Sequence, residues 1–220
     1  SKYIKNKNFE QTINLQNRAL ELCLFLSVPA AVALLLASEQ IITSLFGYGS
    51  FDKESVINTA LALTFFALGV PAFSILKIFS NFFFARNDTK TPFYLSVISV
   101  FLNIIISISL FGRLGFVIIP IATSLSSWIN VFFHYYFIKK RNFHIFDSKF
   151  IYKFPRMILS VVVMGIVLYL LLGFFFDKFY YNESWKFIYL FTIVIITLII
   201  YFIVSNFLGA FKFKDIKLRK

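Results

Sequence analysis

The feature that most constrains this chain is a succession of apolar runs, each about 20 residues or longer, with only short polar stretches between them. An α-helix rises about 1.5 Å per residue, so about 20 apolar residues cross the roughly 30 Å hydrocarbon core of a bilayer. Six runs are legible: Ala19–Phe46, Ser55–Ala85, Pro92–Phe111, Gly115–Ile138, Pro155–Phe176 and Trp185–Gly209. Composition agrees with a lipid solvent. Hydrophobic residues make up 59% of the 220, 32 of them Phe, and the mean hydropathy is +0.81. A water-soluble fold of this size has too little interior to hide that surface. The expected fold is therefore all-α, a polytopic membrane protein of six transmembrane helices. Short connections make consecutive helices antiparallel neighbours and leave no room for a soluble domain.

The net charge of +12 would point to nucleic acid in a soluble protein. Here the cations sit in tails and loops between apolar runs, where anionic lipid headgroups are the expected partner and nucleic acid is not. Their distribution gives a topology. Lys2, Lys5, Lys7 and Arg18 precede the first run, and Arg86 and Lys90 lie between the second and third. Lys139, Lys140, Arg141, Lys149, Lys153 and Arg156 lie between the fourth and fifth, and Lys212, Lys214, Lys217, Arg219 and Lys220 follow the sixth. These 17 of the 22 basic residues fall on one side; Lys53, Arg113, Lys178 and Lys186 fall on the other. The positive-inside rule then places both termini in the cytoplasm. The chain opens at Ser1 without methionine, on residues that look like the end of an earlier element, so it reads as truncated.

Local signals punctuate the runs. Thr91-Pro92 reads as an N-cap followed by proline at the first helical position. Gly47 and Gly49 close the first helix, and Gly112 and Gly115 bracket a tight turn. Pro29, Pro71 and Pro120 fall within spans and favour kinks. Glu21 and Glu39 lie near opposite ends of the first run, where a carboxylate reaches water.

Inside a span the polar residues are the informative ones, because lipid offers them no partner. Ser74, Lys77 and Asn81 share one face of the second helix. Ser96, Ser99, Asn103 and Ser107 share a face of the third, and Thr123, Ser127, Asn130 and His134 a face of the fourth. These stripes either line a hydrated cavity or bind the helices to one another. Lys77 favours the cavity: a cation at mid-span costs roughly 2.5–3.5 kcal/mol unless it meets a partner or water, the alternative being that it snorkels to an interface. The fifth and sixth helices carry almost no charge and are expected at the periphery, or beside the cavity as an apolar groove.

No catalytic set is visible: the spans hold no paired acids, phosphate-binding Gly-rich loop or nucleophile with a base. Cys23 is the only cysteine, which excludes an intramolecular disulfide and a cysteine metal cluster. His134 and His144 have no ligand partners at helical spacing and are expected to be ordinary interfacial histidines. No metal or cofactor is implied, and Asp88, in the loop Arg86–Pro92, is suited to capping or a local ion pair.

That loop also carries a resemblance. Leu68-Gly69-Val70-Pro71-Ala72, Lys77, and Phe84-Ala85-Arg86-Asn87-Asp88-Thr89-Lys90-Thr91-Pro92 resemble the MurJ (MviN) family of lipid II flippases. So do Leu26–Leu34, Leu45-Phe46-Gly47-Tyr48-Gly49-Ser50-Phe51-Asp52 and Ala122–Asn130. The order and spacing agree over roughly the first 140 residues; the last two helices match in placement only. One departure is Gln40, where the family often has proline after the glutamate, which puts a helix break there in doubt.

The resemblance implies half of a pseudo-symmetric transporter. Residues 1–140 would be the last four helices of its second bundle, and residues 141–220 two extra helices bordering a groove for the lipid tail. Eight earlier helices, with the cationic residues of the family's central cavity, would be missing from this chain. It also implies a bacterial inner-membrane location and lipid II as the substrate, moved by alternating access for cell-wall synthesis without bond chemistry. The substrate path would run past Lys77, Ser74, Asn81, Asn103, Thr123, Ser127 and Asn130. Alternatives left open are an exporter of polysaccharide lipids or drugs from the same superfamily, a non-transporting membrane scaffold, and a lipid-modifying enzyme.

Overall fold

The computed structural model describes residues 9–143, 146–181 and 183–211, and among these it is all helix and turn, without a strand. Seven α-helices follow in order: α1 Phe9–Leu36, α2 Ser38–Phe46, α3 Lys53–Phe84, α4 Lys90–Leu114, α5 Ile118–Lys140, α6 Ser148–Phe174 and α7 Lys186–Phe207. Short 3₁₀ turns at Gly115–Val117 and Phe176–Phe179 complete the set. Five apolar helical stretches are long enough to cross a membrane, and one of them, Lys90–Lys140, holds both α4 and α5. Six helices of 22–32 residues therefore match the six expected spans, while the nine-residue α2 is too short to cross. Lys2, Lys5, Lys7, His144 and the cations from Lys212 onward lie outside the described residues.

The boundaries differ from the sequence reading where hydropathy is silent. The first run is two helices. α1 begins at Phe9, ahead of its apolar part, because polar residues such as Gln11 and Asn14 extend a helix into water as readily as into lipid. It bends at Ala37 (φ −111°, ψ 15°), two residues before the doubtful Glu39-Gln40 position. There the Thr64 hydroxyl of α3 donates to Ser38 Oγ at 2.9 Å. α6 starts seven residues ahead of Pro155, because Asp147 caps it: the Phe150 N–H donates to its carboxylate at 2.7 Å. Pro120 does not kink α5, since it stands third in that helix, where no amide has an intrahelical partner to lose. Asp88, not Thr91, caps α4, accepting the Thr91 N–H (3.0 Å) and hydroxyl (2.8 Å).

The chain forms two compact units. One joins the chain up to Val28 with Leu68–Ile151; the other joins Pro29–Ala67 with the chain from Tyr152 onward. Both long helices, α1 and α3, thus change unit beside a proline, Pro29 and Pro71, which release the Phe25 and Ala67 carbonyls from the helical ladder.

In the first unit α4 and α5 form a hairpin turned at Gly115, whose φ of +61° suits a residue without Cβ. α3 lies against α5 at Gly69, where an added Cβ would stand 2.7 Å from Ser124 Oγ. Such small-residue contacts let membrane helices approach closely. Trp128 Nε1 donates to the Leu68 carbonyl at 2.9 Å beside it. The second unit buries Ala37, Leu168, Leu172, Phe179, Leu190 and Ile193 together, and Ile42, Val56 and Ala60 in a smaller cluster. Large apolar side chains such as Ile108, Phe174 and Phe207 stay exposed, as lipid-facing residues can.

Candidate functional site

The polar residues of the first unit fall into three groups. On α3, Ser74, Lys77 and Asn81 line one side of the helix; Lys77 and Asn81 are exposed and Ser74 is half-buried. Exposed Phe73 and Phe84 flank them. This face presents an ammonium and an amide, a pair suited to an anionic, hydrogen-bonding ligand.

The stripes of α4 and α5 meet each other. Asn103 Nδ2 donates to Thr123 Oγ1 at 3.0 Å and lies 3.4 Å from Ser126 Oγ, while the Ser99 hydroxyl donates to the Ser126 carbonyl at 3.0 Å. Ser127 is buried and donates to the Thr123 carbonyl of its own helix at 2.7 Å. The Asn103 and Ser99 contacts are those of interhelical binding. Asn130 is buried, and its Oδ1 has no partner among the described residues. His134 is not interfacial: it is fully buried, its Nδ1 is 3.0 Å from the Asn130 carbonyl and its Nε2 3.4 Å from Ser80 Oγ of α3, and Phe83 meets the ring edge-on. Helical spacing put it on the right face but could not show how deep that face is. Asn103 and Thr123 are thus joined across α4 and α5, Ser127 bonds within α5, and among the described residues no hydrogen bond links these or the Asn130 side chain to Lys77 or Asn81. No group of three or more His, Cys, Asp or Glu that could hold a metal occurs among the described residues.

The third group closes the basic end of this unit. Asp88 pairs with Arg141, which also reaches the Thr91 hydroxyl at 3.1 Å. Burial alone would raise the Asp88 carboxyl, but hydrogen bonds from Thr91 and the Arg141 guanidinium together hold it below the usual carboxylate range. The capping role expected of Asp88 is realised, while its ion pair is made with Arg141, 53 residues on, and not within the loop. Arg86 donates to the carbonyls of Phe82 (2.8 Å) and Phe143 (2.6 Å), with its guanidinium 4.4 Å from the centre of the Phe143 ring. Two cations that sequence reading treated only as topology signals are therefore structural clasps.

The second unit contains a residue that sequence reading missed. Lys186 is fully buried at the start of α7. Its ammonium donates to the carbonyls of Gly47 (2.7 Å) and Tyr181 (2.8 Å) and stands 4.0 Å and 5.1 Å from the ring centres of Tyr48 and Tyr181. It makes no ion pair among the described residues. Two carbonyl dipoles and two aromatic faces replace the carboxylate that usually accompanies a buried lysine.

With this geometry in hand, similarity to known proteins adds a further observation. Residues 1–191 match the family model described as lipid II flippase MurJ. A probable lipid II flippase MurJ of Rhizobium meliloti (strain 1021) is 36% identical over 166 residues, covering 76% of this chain and 31% of that protein. Another, from Rickettsia prowazekii (strain Madrid E), is 30% identical over 181 residues, covering 82% of this chain and 36% of its own length. A solved lipid II flippase MurJ in an inward closed conformation superposes with a TM-score of 0.75 at 28% identity, over 93% of this chain and 40% of the other. The chain spans about a third of the length of the curated relatives it matches.

Proposed function

Because this chain belongs to the lipid II flippase MurJ family, we propose that it is the part of a flippase that presents one wall of the substrate path and carries two peripheral helices. The match over residues 1–191 is the observation that carries this reading. The reaction is translocation of lipid II, a peptidoglycan precursor, across the bacterial inner membrane, with no bond made or broken. Alternating access needs two bundles that rock about a site between them. Residues 1–140 belong to one bundle and residues 141–220 to the peripheral pair that borders the lipid tail. The other bundle lies in the part of the relatives that this chain does not match.

On this reading the α3 face meets the hydrophilic head of the substrate. Lys77 attracts the pyrophosphate, Ser74 and Asn81 offer hydrogen bonds, and Asn103 with Thr123 holds α4 to α5 as a backing along the same path, which Ser127 and Asn130 of α5 extend. An ammonium flanked by apolar surface exerts more pull on a phosphate than one in bulk water. Anionic headgroups contact the basic loops. In a full-length flippase carrying this chain, a photoreactive residue at Asn81 should crosslink lipid II in cells, and one at the exposed Ile108 of α4 should not. Equal capture at both positions would refute the assignment of the α3 face.

The charge count supports an orientation in which both termini and the loops holding Arg86 and Arg141 face the cytoplasm. After Cys23→Ser, a cysteine at Ser50 should react with an impermeant thiol reagent in intact spheroplasts and one at Asn87 should not. Asn182, the other position suited to this test, lies outside the described residues. Labelling at Asn87 would reverse the topology.

A further inference from the structure

The second unit holds a pocket of about 210 Å³ whose lining includes no residue assigned to the path above. Glu39 and Thr43 of α2 and Lys53 at the start of α3 form its polar wall; Phe176, Phe179 and Tyr181 form its aromatic wall. Glu39 and Lys53 are exposed and face one cleft, yet make no ion pair with each other. A carboxylate and an ammonium held in the same cleft without neutralising one another are positioned for a ligand that carries both charges.

The pocket is built rather than incidental. The Tyr181 hydroxyl donates to the Phe51 carbonyl at 2.8 Å, and the Tyr181 carbonyl accepts from the buried Lys186. Phe179 is anchored in the core of the unit. The apolar stretch Lys53–Phe84 begins at the pocket and Ser148–Phe174 ends two residues before its Phe176, the placement of a site at headgroup level. Exposed Tyr48, Tyr180 and Trp185 around it have the character of an interfacial aromatic belt.

We propose that this pocket binds the phosphoethanolamine headgroup of a zwitterionic phospholipid. The ammonium goes to the Glu39 carboxylate and the aromatic faces, and the phosphate to Lys53. A phosphoglycerol headgroup would satisfy Lys53 but bring its anion beside Glu39. The site does not depend on the transport reading, because a headgroup clamp could serve any membrane protein with this unit.

The test reconstitutes the protein in nanodiscs containing equal phosphatidylethanolamine and phosphatidylglycerol, and counts retained lipid by native mass spectrometry. Phosphatidylethanolamine should be retained in preference, and Glu39→Gln and Lys53→Gln should each cut its retention about tenfold, the scale of one charge-assisted contact. Glu54→Gln, at an exposed carboxylate next to Lys53 that does not line the pocket, should leave retention unchanged. Wild-type retention in both pocket variants, with unfolding midpoints unaltered, would overturn the proposal. So would equal retention of the two lipids.

Discussion

Lys186→Met is expected to lower the thermal unfolding midpoint of the detergent-solubilised protein by roughly 5–10 °C, from a loss of about 3 kcal/mol. Methionine keeps most of the length and apolar stem of lysine but donates no hydrogen bond. The buried Gly47 carbonyl and the part-buried Tyr181 carbonyl, now at 2.7 and 2.8 Å from the ammonium, would both lose that donor. Each such orphan costs about 1–3 kcal/mol. The charge contacts with the Tyr48 and Tyr181 rings would also vanish, at about 0.5–2 kcal/mol. Desolvating the lysine is a cost that methionine avoids, which keeps the net loss near the lower end of the sum. Because these bonds hold the loop after α2 to the start of α7, the damage should concentrate in the second unit. Hydrogen exchange should rise at Gly47–Phe51 and at the start of α7, and stay unchanged near Arg141. An unaltered midpoint would mean that the ammonium contributes nothing to the fold.

Most of the architecture was legible because lipid leaves the chain few options. A long apolar run in hydrocarbon must satisfy its backbone internally, so each of the six runs became a long helix, the first with the short α2 added. The ends were less legible, because hydropathy marks where a helix leaves lipid, not where it stops. Thus α1 continues back through polar residues to Phe9, and α6 begins at its Asp147 cap ahead of Pro155.

The polar residues divide in the same way. Periodicity placed Ser99, Asn103 and Thr123 on shared faces, and the structure joins those faces by hydrogen bonds. Spacing alone could not decide between a cavity and a contact, because both require one polar face per helix. Asp88 was legible as a cap because its partner Thr91 is three residues away; Arg141, 53 residues on, was not. Lys186 was illegible for a stricter reason. Its partners are backbone carbonyls, which every residue possesses, so a lysine beginning an apolar run reads as an ordinary interfacial charge.

On the proposed reading Lys77 stands in the path of an anionic substrate. It is exposed on α3 with Asn81 beside it, and no ion pair neutralises it among the described residues. In hydrocarbon such a charge would be expelled or would snorkel; in a hydrated path it can remain charged and draw in phosphate. The two circumstances predict different losses on truncation. A snorkelling lysine contributes little, so alanine would be nearly silent. A lysine in the path contributes to every encounter, so alanine should reduce transport on the order of tenfold. Arginine keeps the charge but changes its shape and should retain part of the activity. On the proposed reading the 220-residue chain supplies one wall of a two-bundle site, so alone it should not transport.

The decisive measurement is rescue of a flippase-depleted strain by a polypeptide in which this chain follows the N-terminal helices of a family member, scored beside its abundance in the membrane. The account predicts rescue by the unmodified fusion, weak rescue by Lys77→Ala at equal abundance, intermediate rescue by Lys77→Arg, and none by the 220-residue chain alone. Full rescue by Lys77→Ala at normal abundance would remove Lys77 from the path and contradict the account.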